Sequence, residues 1–207
     1  MIEKRQEIKF RLDHQSLNDL IRIKNLKKIY PKRNVNSVYF DTIDFKFHHK
    51  SEEGQVPRKK VRIRYYDKNI GNSKIEIKSS FPYYRIKDVH NIDLNNILDL
   101  KLKLKKIDNK NYLYPKLKVK YLRDYYSCDI GRITIDSNIR FKKIISYGDL
   151  LNNSYNLSRD LLLDKYYIIE LKTKNDISKY EAIKFMNQND TRFSKYCYGI
   201  NKIYFFK

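Results

Sequence analysis

Lys60-Val61-Arg62-Ile63-Arg64 is the stretch on which the reading of this chain turns. Apolar and cationic residues alternate with period two, so a strand built from it buries one side and carries three cations on the other. Working outward, related alternation returns in Arg5-Gln6-Glu7-Ile8-Lys9-Phe10-Arg11, Lys74-Ile75-Glu76-Ile77-Lys78, Arg132-Ile133-Thr134-Ile135-Asp136 and Ile168-Ile169-Glu170-Leu171-Lys172. One such strand fits a solvated outer face or an edge guarded by lysine. Five of them, most with a carboxylate among the cations, point to a site for a highly charged anion and a bound cation, built by the whole fold.

Composition agrees. The 207 residues suffice for one large domain with its own core. Forty-five basic against 24 acidic residues give a net charge of +21, which calls for an anionic partner: phosphate chains, nucleotides, nucleic acid or a membrane surface. The chain is crowded with Lys, Asn, Ile, Tyr and Phe, as an AT-rich coding sequence produces, so part of the lysine excess reflects codons. Arginine is the better witness because it binds phosphate bidentately. Of 13 arginines, eight sit in or beside the motifs: Arg5, Arg11, Arg58, Arg62, Arg64, Arg123, Arg132 and Arg192.

Cys128 and Cys197 lack CxxC spacing and read as reduced thiols. His48-His49 falls in a polar stretch, 48–56, expected to be a solvated loop. The opening Met1-Ile2-Glu3-Lys4-Arg5 has no apolar run, so no secretory leader is expected. Nowhere do about 20 apolar residues follow one another, so no transmembrane segment is expected either.

Strands are expected at 5–12, 35–41, 58–66, 73–79, 115–124, 131–140, 166–173 and 199–206. Helical spacing predicts helices over 16–28, with Ser16 as cap, and 176–187, capped by Asp176. A weaker helix is expected over 94–105 and a helical turn over 146–153. Polar loops are expected at 67–72, 108–111 and 152–156. Many short strands and few helices predict an α+β fold, an antiparallel β-barrel or strongly curved sheet with a few covering helices. The charged sides of 58–66, 73–79, 131–140 and 166–173 are expected to converge on one enclosed channel. Like charges in such a lumen repel one another unless an anion neutralises them. Tyr65, Tyr66, Tyr125 and Tyr126 read as barrel packing rather than base-stacking platforms.

Eight segments together carry a resemblance. They are Arg5-Gln6-Glu7-Ile8-Lys9-Phe10; Ser37-Val38-Tyr39-Phe40-Asp41-Thr42; Val61-Arg62-Ile63-Arg64-Tyr65-Tyr66; Ile75-Glu76-Ile77-Lys78; the 114–123 run that closes on Lys120-Tyr121-Leu122-Arg123; Gly131-Arg132-Ile133-Thr134-Ile135-Asp136; Ile169-Glu170-Leu171-Lys172; and Arg192-Phe193-Ser194-Lys195-Tyr196. In this order the chain resembles the VTC domain of polyphosphate polymerases, within the CYTH-like triphosphate tunnel superfamily. The resemblance spans nearly all 207 residues and implies a single VTC-type tunnel domain over 1–207. It further implies a cytoplasmic, metal-dependent phosphotransferase that moves the ATP γ-phosphate onto a growing polyphosphate chain. Arg62, Arg64 and Arg123 are then the catalytic residues. Lys9, Lys78, Tyr121, Arg132, Arg192, Ser194 and Lys195 bind substrate, and Glu170 holds Mn²⁺ or Mg²⁺. The implied partners are ATP and inorganic polyphosphate rather than nucleic acid.

Two departures stand out. Arg5 occupies the first position of the Glu-x-Glu-x-Lys strand of the triphosphatase relatives, which removes a carboxylate and favours the polymerase branch. The regulatory phosphate-sensing domain and membrane helices that accompany this domain in eukaryotic polymerases are not seen in the 207 residues. In phosphoryl transfer the protein mainly neutralises charge and aligns reactants, so no general base is needed. Glu7, Glu76 and Asp136 can orient the basic side chains. Two alternatives stay open: a triphosphatase or nucleotidyl cyclase in the same fold, and a nucleic-acid-binding basic β-module.

Overall fold

The structure is a computed structural model that describes residues 7–67, 69–150, 161–162, 166–174 and 177–205. The expected positions of Arg5, of the Asp176 cap and of the 152–156 loop lie outside them. Among the described residues nine strands form one sheet: β1 (Glu7–Leu12), β2 (Lys27–Asp41), β3 (Arg58–Tyr66), β4 (Asn69–Ser80), β5 (Arg85–Asn91), β6 (Tyr114–Cys128), β7 (Gly131–Lys143), β8 (Leu161–Leu162) and β9 (Tyr167–Thr173). Their order is β1-β9-β7-β6-β2-β3-β4-β5, with the two-residue β8 added on β7. The pairings β1–β9, β9–β7, β2–β3, β3–β4 and β4–β5 are antiparallel. The α+β antiparallel class is as expected. Closure is not: among the described residues the sheet runs from β1 to β5 without joining them into a barrel.

Among the described residues five α-helices accompany the sheet: α1 (His14–Ile23), α2 (Lys46–Glu52), α3 (Ile97–Ile107), α4 (Lys179–Met186) and α5 (Lys195–Ile200), the last continued by a π-helical turn over Asn201–Phe205. The chain folds into two compact units. The first comprises Met1–Asn34, Tyr121–Ile139 and Leu162–Phe193; the second comprises Val35–Lys120, Arg140–Leu161 and Ser194–Lys207. Each has its own core. In the first unit Ile8, Phe10 and Leu12 of β1, Ile133 and Ile135 of β7, and Ile169 and Leu171 of β9 pack with Leu17 and Leu20 of α1 and Ala182 and Met186 of α4. In the second, Val61, Ile63 and Tyr65 of β3 pack with Val38 and Phe40 of β2, Ile75 of β4, and Leu100 and Leu104 of α3. Burying a side chain of this size contributes about 1.5–3 kcal/mol. The residues between these apolar positions therefore occupy the other face of each strand, which is how the period-two pattern fixes the charged faces.

Several local expectations are corrected. The 16–28 helix starts earlier and ends sooner, at His14–Ile23: Asp13 rather than Ser16 caps it, its carboxylate accepting the Ser16 N–H at 2.7 Å. Residues from Lys27 onward join β2. Ser178, with Glu181 in a reciprocal capping box, starts α4. The 146–153 turn is a short 3₁₀ helix, Gly148–Leu150. The 48–56 loop begins as helix α2, and His48 is buried, not solvated. The cap of α2 is remote: Asp41, at the end of β2, accepts the N–H groups of Phe47 and His48, each at 2.9 Å. The expected strand 199–206 is instead α5 and its π turn. Ser194 caps that helix, and Gly199 lets it pack where a Cβ would lie 2.5 Å from Phe141 and 2.6 Å from Leu117. Strand β5 lacks apolar alternation and is exposed along its length, so nothing in its sequence announced it.

Candidate functional site

In the second unit the charged face centres on Arg62 and Glu76. Cross-strand register sets Tyr39 opposite Arg62 and Arg62 opposite Glu76, while Lys60, Lys78 and Lys87 form a row across β3, β4 and β5. Directly opposed like charges repel, so a lysine row favours an anion above it. Arg62 donates from Nε to Glu76 Oε2 at 2.7 Å, and its Nη2 lies 2.5 Å from the same oxygen. Arg64 Nη1 lies 3.7 Å from that oxygen, and Lys87 donates to Oε1 at 2.8 Å. Burial alone would raise the Glu76 carboxyl. The charges of Arg62 and Arg64, with hydrogen bonds from Lys87 and Arg62, outweigh it and hold the group at about 2. The carboxylate is thus ionised and shared by three cations. The Arg62 and Arg64 side chains are only 13% and 11% exposed, far from the solvated outer face that alternating charge usually marks.

The Ser37–Thr42 motif meets Ser194–Tyr196, the last part of the Arg192–Tyr196 motif, in this unit. Tyr39 accepts a hydrogen bond from Arg62 Nη1 at 3.0 Å, and its ring stacks on that of Tyr196 with centroids 5.1 Å apart. The Tyr196 hydroxyl donates to Asp41, the carboxylate that caps α2. Burial and the Asp41 charge push the Tyr196 phenol well above its ordinary range, so it stays a donor. Lys60 donates to Ser194 Oγ at 3.0 Å, and that oxygen also caps α5. Lys195 is half-buried and Lys78 is exposed.

In the first unit the charged face spans β1, β9, β7 and the end of β6. Lys9, Glu170 and Thr134 form one cross-strand row, and Glu7, Lys172 and Arg132 the next. Lys172 lies 3.6 Å from Glu7 and 3.3 Å from Glu170. Lys9 donates to the Phe193 carbonyl at 3.2 Å, and the Thr191 N–H donates to the Lys9 carbonyl at 2.7 Å, which docks the chain on either side of Arg192 against β1. Arg192 and Arg132 are exposed. Arg123 is held side-on: Nε and Nη2 donate to the two oxygens of Asp136 at 2.6 and 2.8 Å. Burial opposes charge on Arg123, but Asp136 outweighs it and keeps the guanidinium firmly protonated. Tyr121 is buried, its ring 5.3 Å from the Arg123 guanidinium carbon.

The residues expected from the sequence therefore fall into two groups. Arg62, Arg64, Lys78, Ser194 and Lys195 belong to the second unit; Lys9, Tyr121, Arg123, Arg132, Glu170 and Arg192 belong to the first. Sequence reasoning left out Lys60, Tyr39, Asp41, Tyr196 and Lys87. Lys60 shares the parity of Arg62 and was available to it. The roles of Tyr39, Asp41 and Tyr196 depend on contacts between motifs distant in sequence, and Lys87 sits on the unannounced strand β5.

Among the described residues no three His, Cys, Asp or Glu side chains group closely enough to hold a metal by themselves. Glu7 and Glu170 nonetheless share one face, and the buried Thr134 hydroxyl opposite Glu170 has no hydrogen-bond partner among the described residues. Hard oxygen donors of this kind fit a divalent cation that takes one or two carboxylates and fills its shell with phosphate oxygens. No helix among the described residues is long and apolar enough to cross a membrane.

Known structures share this fold. HpAC1 from Hippeastrum, for which a dominant triphosphatase activity is described, superposes with a TM-score of 0.58 at 14% identity over 96% of each chain. A conserved hypothetical protein from Pyrococcus furiosus gives 0.52 at 14% identity, over 94% of this chain and 99% of its own. A candidate adenylate cyclase from Vibrio parahaemolyticus gives 0.52 at 12%, over 92% and 94%. No curated protein matches the sequence. The model of the VTC domain matches residues 4–91 and 74–204, overlapping segments that take in nearly the whole sequence, and the chain belongs to the VTC domain family.

Proposed function

We propose that this protein is a phosphotransferase that moves the γ-phosphate of ATP onto the end of an inorganic polyphosphate chain. The observation that carries the reading is the pair of arginines, Arg62 and Arg123, each shielded and held side-on by a carboxylate of a neighbouring strand. A guanidinium fixed in this way is oriented before substrate arrives, which is how a protein stabilises charge that develops on a phosphoryl group. Arg62, Arg64 and Arg123 contact the transferred and neighbouring phosphates. Lys9, Lys78, Tyr121, Arg132, Arg192, Ser194 and Lys195 bind the rest of the nucleotide and the chain. Glu76 and Asp136 orient the arginines, as Glu7 does the lysines around it. Glu170, with Glu7 and Thr134 beside it, would hold Mn²⁺ or Mg²⁺, which when bound offsets charge on phosphate oxygens. The attacking terminal phosphate is already an anion, so no side chain need remove a proton. An ATP donor argues for a cytoplasmic reaction.

The shielding of Arg62 and Arg64 weighs against a nucleic-acid module, which needs its arginines outward. A second reading is hydrolysis of a triphosphate, favoured by the two carboxylates Glu7 and Glu170 on one face and by the activity described for HpAC1. Incubation with ATP and Mn²⁺ or Mg²⁺, followed by gel separation of phosphate chains and assay of free phosphate, separates the two. Long chains are expected. Free phosphate alone would replace the polymerase reading with the hydrolytic one, and no ATP turnover with either cation would overturn both.

A further inference from the structure

We propose that Tyr39 is itself a phosphate ligand of the second unit, donating its phenol O–H to a phosphoryl oxygen bound beside Arg62, Arg64 and Lys195. The proposal rests on the phosphate-binding reading above and adds a residue to it. Tyr39 is 6% exposed and lies directly opposite Arg62 on the face that also carries Lys60 and Arg64. Its ring is clamped by the stack on Tyr196, whose hydroxyl is tied to Asp41. The hydroxyl is therefore held in place rather than free to swing to water.

A phenol has one proton to give. Among the described residues the one hydrogen bond that the Tyr39 hydroxyl makes is the one it accepts from Arg62, so its own proton is left without an acceptor. A buried donor in that state costs free energy until an acceptor arrives. The charges that act most strongly on the group are positive: Arg62, Arg64 and Lys195. Burial alone would raise this phenol, but those charges and the Arg62 hydrogen bond bring it below its ordinary value, which makes the O–H a stronger donor. An oxyanion is the acceptor that such a place selects, since it satisfies the proton and offsets the surrounding cations together.

The test is calorimetric titration with inorganic tripolyphosphate of the parent chain, Tyr39→Phe, Arg62→Ala and the double variant. Phenylalanine keeps the ring and its stack, and melting of the ligand-free variants checks the fold. Tyr39→Phe is expected to weaken binding about 10- to 100-fold, the loss typical of one hydrogen bond to a charged group. Most of that factor should persist in the Arg62→Ala background, because a direct ligand acts independently of its neighbour. Unchanged binding in Tyr39→Phe, or a loss that vanishes without Arg62, would overturn the proposal and leave Tyr39 as a prop for Arg62. No binding by the parent would overturn the functional reading as well. If Tyr39→Phe melts well below the parent, tyrosinate absorbance of the parent decides: one tyrosine should ionise at higher pH once tripolyphosphate is bound, and no such change would count against direct contact.

Discussion

Arg62 and Arg123 solve the same problem in different ways, each within its own unit. Both are 13% exposed and both lean on a carboxylate of the next strand in the sheet. Asp136 is 1% exposed at its side chain and gives Arg123 both oxygens. Glu76 is shared: one oxygen serves Arg62 and stands near Arg64, and the other serves Lys87. The first arrangement is a bidentate pair, good at holding one side chain in one orientation. The second leaves several cations around one negative charge, a surplus that an incoming phosphate can neutralise. The contrast teaches that a lone carboxylate on a basic strand can act as a two-oxygen strut for an arginine or as the hub of a cationic cluster, and that its neighbours decide which.

The comparison can be broken by removing the struts. The largest effect is expected from Asp136→Asn, which leaves Arg123 buried without its counter-charge and should cost about 3–5 kcal/mol of stability in denaturant titration. A loss under about 1 kcal/mol would mean that the pair does not hold Arg123. Next comes Arg62→Ala, expected to raise the barrier to phosphoryl transfer by about 2–4 kcal/mol, roughly 30- to 1,000-fold in rate. Lysine at the same position should recover part of this, since it carries the charge without the planar fork; full recovery would show that orientation by Glu76 is irrelevant.

The hub also has a pH signature. The Glu76 carboxyl is held at about 2 against an ordinary value of 4.5, so between these limits the unfolded chain takes up the proton first. Its contribution, about 3 kcal/mol at 1.36 kcal/mol per unit, is fully present above pH 4.5 and lost as the pH falls towards 2. Stability measured across that window should fall less steeply for Glu76→Gln than for the parent, and equal slopes would contradict the shared-carboxylate account. The smallest effect is expected from Tyr196→Phe, which keeps the stack on Tyr39 but deletes the bond to Asp41. A loss of about 1 kcal/mol should appear in melting experiments, with Asp41 still capping α2.

Much of this was legible in the residues. Alternation marked the charged faces of β1, β3, β4, β7 and β9 because a strand's parity is a local property. The carboxylates at Glu76 and Asp136 could be read as struts because Glu76 alternates with Lys74 and Lys78 and Asp136 shares the strand parity of Arg132. What escaped depended on partners outside the segment concerned. Helix α2 is capped from β2 by Asp41, so its polar sequence reads as loop. Ile200-Asn201-Lys202-Ile203-Tyr204-Phe205 has β-prone residues, yet Ser194 and the close packing of Gly199 make the segment helical. Tyr39 and Tyr196 stood in quoted motifs, but nothing in either motif announces the ring stack that joins them. Barrel closure was inferred from strand number, and strand number does not fix whether the two ends of a sheet meet.

The central claim is that the shielded arginine of each unit binds phosphate. Calorimetric titration of inorganic tripolyphosphate into the parent chain, Arg62→Ala and Arg123→Ala tests it most directly, with Lys50→Ala, on the opposite end of α2 from its Asp41 cap, as a control. Binding by the parent and the control, weakened at least about tenfold by each arginine substitution, is the predicted result. Tripolyphosphate bound as tightly by either arginine variant as by the parent would contradict it.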